Sequence, residues 1–303
     1  MATIPMFQTP KTPDAWHRVT APGGYEVWRL EAEDAKSDLR MVARLWNGSP
    51  TDWEYRRAYE RYLRHPTRRR PPVPGDCIGA ELTVWRGGRV WGDIVTRASA
   101  LAASAERVEV RIGATELLAV EGGLKLVAAE GGVEGEWTFH TLGSATGWEG
   151  SFPSRAIARA EHRWLVPAAS YNVEGVIRVG NDQQTMSGRG FHDHMYGTGP
   201  MGDGMRRWLR GRAVLGGRVL MFQVADARRG GAAEGILLEM EGDGVREVGR
   251  MFEQKGAGDW PMEMEFGGRL RLSDPREVGR GWVEYTAAAG GDVGRGLCEI
   301  VRL

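Results

Sequence analysis

The residues best suited to chemistry lie in one stretch, Ser187–Met201, which reads S-G-R-G-F-H-D-H-M-Y-G-T-G-P-M. It carries two of the six histidines, His192 and His194, with Asp193 between them. Gly188, Gly190, Gly197 and Gly199 bracket its core, where the backbone can bend or approach another strand closely. Phe191–Tyr196 has the pattern of a short strand. Phe191, Asp193 and Met195 then share one face, and His192, His194 and Tyr196 share the other. If the Asp193 face is buried, its carboxyl resists ionisation and is suited to giving a proton. The alternative is a structural aspartate satisfied by backbone donors near a bend. His192-x-His194 also has the spacing of two metal ligands on one strand face, and a third ligand would come from His162 or His140. No carboxylate or cysteine evidently completes that set, so no metal is expected. Gly188-x-Gly190 is followed by no helical pattern, so it is not a dinucleotide fingerprint, and no cofactor is expected.

The elements that must position this stretch are mostly strands. Tyr25–Leu30 and Leu39–Trp46 read as strands, and Leu82–Trp85, Gly87-Gly88 and Val90–Val95 read as a hairpin. Val108, Val110 and Ile112 alternate with Arg107, Glu109 and Arg111, and Trp137 and Phe139 alternate with polar neighbours. Beyond a glycine- and serine-containing break at Gly143–Ser154, strand patterns recur. They fall at Tyr171–Val179, the central stretch, Trp208–Val214, Val219–Asp226, Gly235–Glu241, Leu270–Leu272, Trp282–Thr286 and Gly296–Leu303. One helix is expected at about 52–64: Thr51 and Glu54 have capping-box spacing, Tyr55, Tyr59 and Tyr62 form one stripe, and Pro66 ends it. Short strands with frequent turns predict an all-β protein, an antiparallel sandwich or barrel.

The length of 303 residues fits two domains. The expected organisation is a proline-punctuated arm at 1–20, a domain at 21–155 and a second at 156–303. Forty basic residues balance forty acidic ones, which argues against nucleic acid as a partner. Cys77 and Cys298 are the only cysteines, too few for a disulfide framework or a cysteine zinc site. The N-terminus has no signal-peptide pattern and no apolar run reaches 18 residues, so a cytoplasmic protein is expected.

Four segments together resemble the carotenoid 1,2-hydratase (hydroxyneurosporene synthase) family and its lipocalin-like relatives. They are Tyr25-Glu26-Val27-Trp28, His162-Arg163-Trp164, G-R-G-F-H-D-H-M-Y-G at 188–197, and Gly281-Trp282-Val283-Glu284-Tyr285-Thr286. The resemblance implies two tandem lipocalin-like antiparallel β-barrels with a cavity near their junction. It implies hydration of isoprenoid alkenes, or the folding of polyenes into decalins by similar proteins. Position by position it points to Asp193 as the acid, helped by His162 and Trp164. Phe191, Tyr196, His192, His194, Trp28 and Glu26, in or beside the same segments, are the candidate substrate-binding residues. The chain departs from the family pattern where a tyrosine two residues before the acid is Phe191, and where Met195-Tyr196 replaces a typical Asn-Trp.

Three functions follow from these residues. The first is acid-catalysed hydration or cyclisation of an isoprenoid alkene in a hydrophobic cavity. There Asp193 gives the proton, Trp164 and Tyr196 face the cation, and His162 orients the acid or a water. The second is a pericyclic cyclase that folds a polyene without a proton donor, and the third is a lipid-binding protein without chemistry. The expected partner is a hydrophobic small molecule, with peripheral membrane contact as a route to it.

Overall fold

The computed structural model describes residues 9–142, 147–153, 160–168, 170–201, 204–228, 233–241, 244–256, 260–279 and 281–302. Among them the chain is almost wholly β, with 22 strands and a single α-helix, Trp53–Arg64. The strands form two curled antiparallel half-barrel sheets, one of thirteen strands and one of nine. The all-β, lipocalin-like expectation therefore holds. No helix among the described residues is long and apolar enough to cross a membrane.

The strand Asp182–Gly197 organises the first sheet. Its N-terminal half pairs with Tyr171–Val179, from Val179 opposite Asp182 to Tyr171 opposite Gly190. Its C-terminal half pairs with Tyr25–Asp34, from Glu33 opposite Arg189 to Tyr25 opposite Gly197. On its other edge His162–Val166 joins it, with His162 opposite Gly197 and Trp164 opposite Met195. The strands between 162 and 197 thus belong to the first sheet, and the second begins at Met205. The sheet change falls after Gly197, not near residue 155. The reason is topological: the central strand must return beside Tyr25–Asp34 to complete the first sheet. Of the expected break, residues 143–146 and Ser154 lie outside the described residues.

Alternation sorts the side chains of each sheet onto two faces. Leu39, Met41, Ala43 and Leu45 point into the first half-barrel, where Trp28, Leu30, Trp137 and Phe139 join them in one core. Leu209, Leu220, Phe222, Phe266 and Tyr285 fill the second. The opposite faces meet in a third core that includes Val27, Trp46, Trp164, Met195, Trp208 and Met221. The hairpin turn at Gly87-Gly88 forms as expected, with φ of 59° and 71°, a two-residue turn that suits glycine. The helix differs in its cap: Asp52, not Thr51, accepts the Tyr55 N–H at 2.8 Å. Tyr55 turns inward and donates its hydroxyl to the Gly24 carbonyl at 2.7 Å, so the stripe serves packing.

Candidate active site

Asp193 lies between the two sheets and is 2% exposed. Phe191 and Met195 are on its face, as the alternation predicts, and both belong to the core between the sheets. The surroundings of the carboxyl itself differ from the apolar ones expected. Trp164 donates its indole N–H to Oδ2 at 3.1 Å, and Arg29 donates from Nη1 to Oδ1 at 3.2 Å. Arg210, from the second sheet, stands 3.8 Å from Oδ2. Arg29 and Arg210 alternate with apolar neighbours along their strands, so both face the junction while Trp28, Leu30 and Leu209 face the half-barrel interiors.

These contacts are part of a longer ladder of opposite charges. Arg212 donates to Glu31 at 2.6 Å and to Glu33 at 3.2 Å, and Glu31 also pairs with Arg29. Beyond Asp193, Arg210 donates to Glu299 at 2.8 Å, and Arg44 donates to Glu299 at 2.5 Å. The run Glu33, Arg212, Glu31, Arg29, Asp193, Arg210, Glu299, Arg44 alternates in sign and joins both sheets. Burial pushes the Glu299 carboxyl up, but Arg210, Arg44 and Arg29 outweigh that and hold it at about 2. Burial also weighs against the charge on Arg29, as does Arg210, while Asp193 and Glu299 support it.

His162 and Trp164 alternate with Arg163, and both are buried on the Asp193 side of the strand. The Tyr25 hydroxyl lies 3.0 Å from His162 Nδ1, and Nε2 has no partner among the described residues. Burial lowers the His162 imidazole to about 4 and raises the Tyr25 phenol well above its ordinary range. Gly197 lies against this pair: a Cβ there would fall 2.7 Å from His162 Nδ1 and 2.8 Å from the Tyr25 ring. A cavity of about 200 Å³ opens beside the constellation, with Val27, Trp46, Met195, Trp208 and Arg210 among its walls. Met195 connects the two regions, since it neighbours Asp193 on one strand face and lines the cavity.

The structure brings Asp193, Trp164 and His162 to one side of the first sheet, together with Phe191. It places the other nominated residues on the far side. His192, His194 and Tyr196 point into the first half-barrel, and so do Glu26 and Trp28, which alternate with Val27 and Arg29. Trp28 stacks on His194 with ring centroids 4.7 Å apart, and Tyr196 stacks on His17 at 3.7 Å. A sheet one strand thick separates them from Asp193, so they cannot share a substrate contact with it, and Tyr196 cannot face a cation beside Trp164. Phe191 is covered by the Arg212 guanidinium, 4.2 Å from its ring centre. The nominated third metal ligands do not serve either: His162 is across the sheet, and His140 is exposed.

Reasoning from sequence missed Tyr25, Arg29, Arg210 and Glu299. A signal was present for the arginines: Arg210 and Arg212 alternate with Leu209 and Ala213 within the apolar run Trp208–Leu215.

No family model matches the chain. Hydroxyneurosporene dehydrogenase from Chlorobaculum tepidum is 26% identical over 231 residues, which cover 65% of this chain and 56% of that protein. The resemblance read from the motifs holds. The chain spans little more than half the length of this relative. Among solved structures, AttH from Nitrosomonas europaea superposes with a TM-score of 0.64 at 14% identity, covering all of both chains. Kievitone hydratase from Nectria haematococca superposes with a TM-score of 0.56 at 11% identity, covering 92% of this chain and 89% of that one. At such identities the likeness is one of fold, and it extends across both half-barrels.

Proposed function

We propose that the chain is an enzyme that protonates an isoprenoid-type alkene at the junction of its two half-barrels, leading to hydration or cyclisation. The observation that carries this reading is the Trp164–Asp193 hydrogen bond beside a cavity, which joins two of the three residues the family resemblance nominates. A hydratase among the structural neighbours and a carotenoid-related homologue support it. Asp193 gives its proton to the alkene carbon, and the pair of electrons of the double bond forms the new C–H bond. Water then adds to the cation and returns a proton to the Asp193 carboxylate, or a second double bond of the same substrate takes the cation and the cyclised cation loses a proton to that carboxylate. His162 positions the water through Nε2, which is buried without a partner among the described residues, while Tyr25 holds Nδ1 at 3.0 Å.

The cavity is smaller than ordinary ligand pockets of about 300–1,000 Å³, so it takes the end of a chain and not a long isoprenoid whole. The remainder leaves past the rim at Thr51–Trp53. Trp53 is 61% exposed there, and Arg57, Arg61 and Arg64 follow on the helix, a composition suited to peripheral contact with anionic lipid. Sedimentation with anionic but not neutral vesicles tests that contact, and equal recovery with both would reject it.

The function is tested by incubating the protein with linear isoprenoids in heavy water and analysing products by mass spectrometry. A product with one solvent deuteron on carbon is expected. A cyclised product without deuterium would favour the second reading, a pericyclic cyclase, for which the observation is that both Asp193 oxygens already accept hydrogen bonds. Absence of turnover with recovered bound lipid would reduce the protein to a lipid carrier.

A further inference from the structure

A second buried polar cluster lies inside the first half-barrel, on the opposite side of the central strand from Asp193. The proposed chemistry uses none of it. Two of its members, Asp14 and His17, come from the N-terminal arm, Glu26 comes from the first strand, and His192 and His194 come from the central strand. His17 Nδ1 lies 2.9 Å and His194 Nε2 lies 3.1 Å from the same oxygen, Glu26 Oε1. The three ligand atoms all lie within 4.8 Å of one another, and all three residues are buried.

That spacing is close to what a metal ion requires. Nitrogen and oxygen ligands at about 2.0–2.2 Å in tetrahedral array are roughly 3.3–3.5 Å apart. A shift of a few tenths of an ångström would bring the two nitrogen–oxygen separations of 2.9 and 3.1 Å to that spacing. The other oxygen of Glu26, Oε2, is buried and has no hydrogen-bond partner among the described residues. A bare buried carboxylate oxygen is costly, and a cation beside it removes the cost. An outer-shell carboxylate is also at hand. Asp14 Oδ1 stands 3.2 Å from His194 Nδ1, which makes no hydrogen bond among the described residues as it stands, and closing that contact would give the carboxylate–imidazole arrangement that orients metal-bound histidines. His192 is not part of the ligand set, because its Nε2 is bonded to Asp14 at 2.9 Å and its Nδ1 lies 2.9 Å from the Arg29 carbonyl.

We propose that His17, Glu26 and His194 bind one divalent first-row transition metal ion, which fastens the N-terminal arm to the first half-barrel. Two imidazoles and a carboxylate favour zinc or its neighbours over calcium or magnesium, which prefer all-oxygen sites. Trp28 and Tyr196 cover the imidazoles of His194 and His17, so the site is closed and its role structural. The imidazoles bind in their neutral form, so any proton held there leaves as metal enters.

The test uses the full chain, stripped with a chelator and titrated with Co²⁺ and then Zn²⁺. One equivalent of Co²⁺ should bind with visible absorption of a low-symmetry site, Zn²⁺ should displace it, and the melting temperature should rise. Removing both exposed histidines, in His65→Ala/His140→Ala, should leave the stoichiometry unchanged, and X-ray absorption of that protein should show two imidazoles on the metal. Asp14→Asn should weaken binding about 10–100-fold, and His17→Ala should abolish the one-equivalent site. Failure of the wild-type chain to bind an equivalent would overturn the proposal whatever the variants do. So would loss of binding in the double histidine variant, or undiminished binding in a folded His17→Ala protein.

Discussion

Replacing Asp193 by asparagine removes one negative charge from the middle of the ladder that joins the two half-barrels. The amide is nearly isosteric, but it offers one acceptor where two donors point. Trp164 Nε1 and Arg29 Nη1 approach different oxygens, so the new NH₂ group must face one of them. Losing a charge-assisted hydrogen bond costs about 1.5–3 kcal/mol, and breaking a buried pair outright costs about 3–5 kcal/mol. Arg29 keeps Glu31 and Arg210 keeps Glu299, which places the cost at about 2–4 kcal/mol. The melting temperature should fall by roughly 3–6 °C. Turnover should fall much further than stability explains, by at least 10²–10⁴-fold, because the amide cannot give a proton. Glu299→Gln is the control. It removes the same charge from the same ladder while leaving the proton donor in place, so it should destabilise comparably and, acting on Asp193 only through Arg210, cost much less turnover than Asp193→Asn. Both are assayed well below their melting temperatures, with circular dichroism to verify folding. A folded Asp193→Asn protein that turns over as fast as Glu299→Gln would refute the proton-donor role and promote the pericyclic reading.

His162→Ala should cost less than Asp193→Asn, about tenfold, because water can replace part of an orienting partner; a loss equal to that of Asp193→Asn would make His162 the proton donor instead. Tyr25→Phe should reproduce most of the His162→Ala effect on rate while changing substrate affinity little, and an unchanged rate would remove Tyr25 from the constellation. Two groups of this site contribute to the acid limb of stability. His162 has an ordinary value of 6.5 and lies at about 4 when folded, so its contribution is complete above pH 6.5 and lost as pH falls towards 4. Glu299 falls from 4.5 to about 2, so its contribution is complete above pH 4.5 and lost towards 2. Each is worth about 3 kcal/mol at neutral pH. Chemical denaturation across pH 7 to 3 should therefore weaken in two stages, with the first absent in His162→Phe; a profile identical in both proteins would contradict a buried neutral His162.

Much of the fold was legible because the core strands obey a period of two. Tyr171–Val179 appears at the expected bounds, and the Gly87-Gly88 turn sits where two glycines made it cheapest. The change of sheet after Gly197 was not legible, because pairing partners distant in sequence leave no local signature. The face assignment within Phe191–Tyr196 was correct, yet its consequence was misjudged. Alternation states which residues share a face with Asp193, but not which residues approach that face from elsewhere. Arg29 and Trp164 arrive from neighbouring strands, and Arg210 from a different sheet, so the polar character of the junction depends on long-range pairing. The packing of the arm was not legible for a related reason. Trp16 donates its backbone N–H to Ser104 at 3.0 Å and Asp14 and His17 are buried, against partners far along the chain.

One strand therefore serves two polar systems that do not touch. Its odd-numbered residues from 191 to 195 face the junction, where a ladder of opposite charges spans both sheets and ends at a cavity. Its even-numbered residues from 192 to 196 face the interior of the first half-barrel, where arm and strand carboxylates hold two imidazoles. Shifting the register of this strand by one residue would exchange the two sets and leave both unpaired. Gly188 and Gly197 pin that register from either end. A Cβ at Gly188 would lie 2.1 Å from the Glu33 carbonyl oxygen, and one at Gly197 would strike His162 and Tyr25. The glycines that bracket the motif are thus as much a part of the site as its acid, because they keep Asp193 facing the junction and the histidines facing the arm.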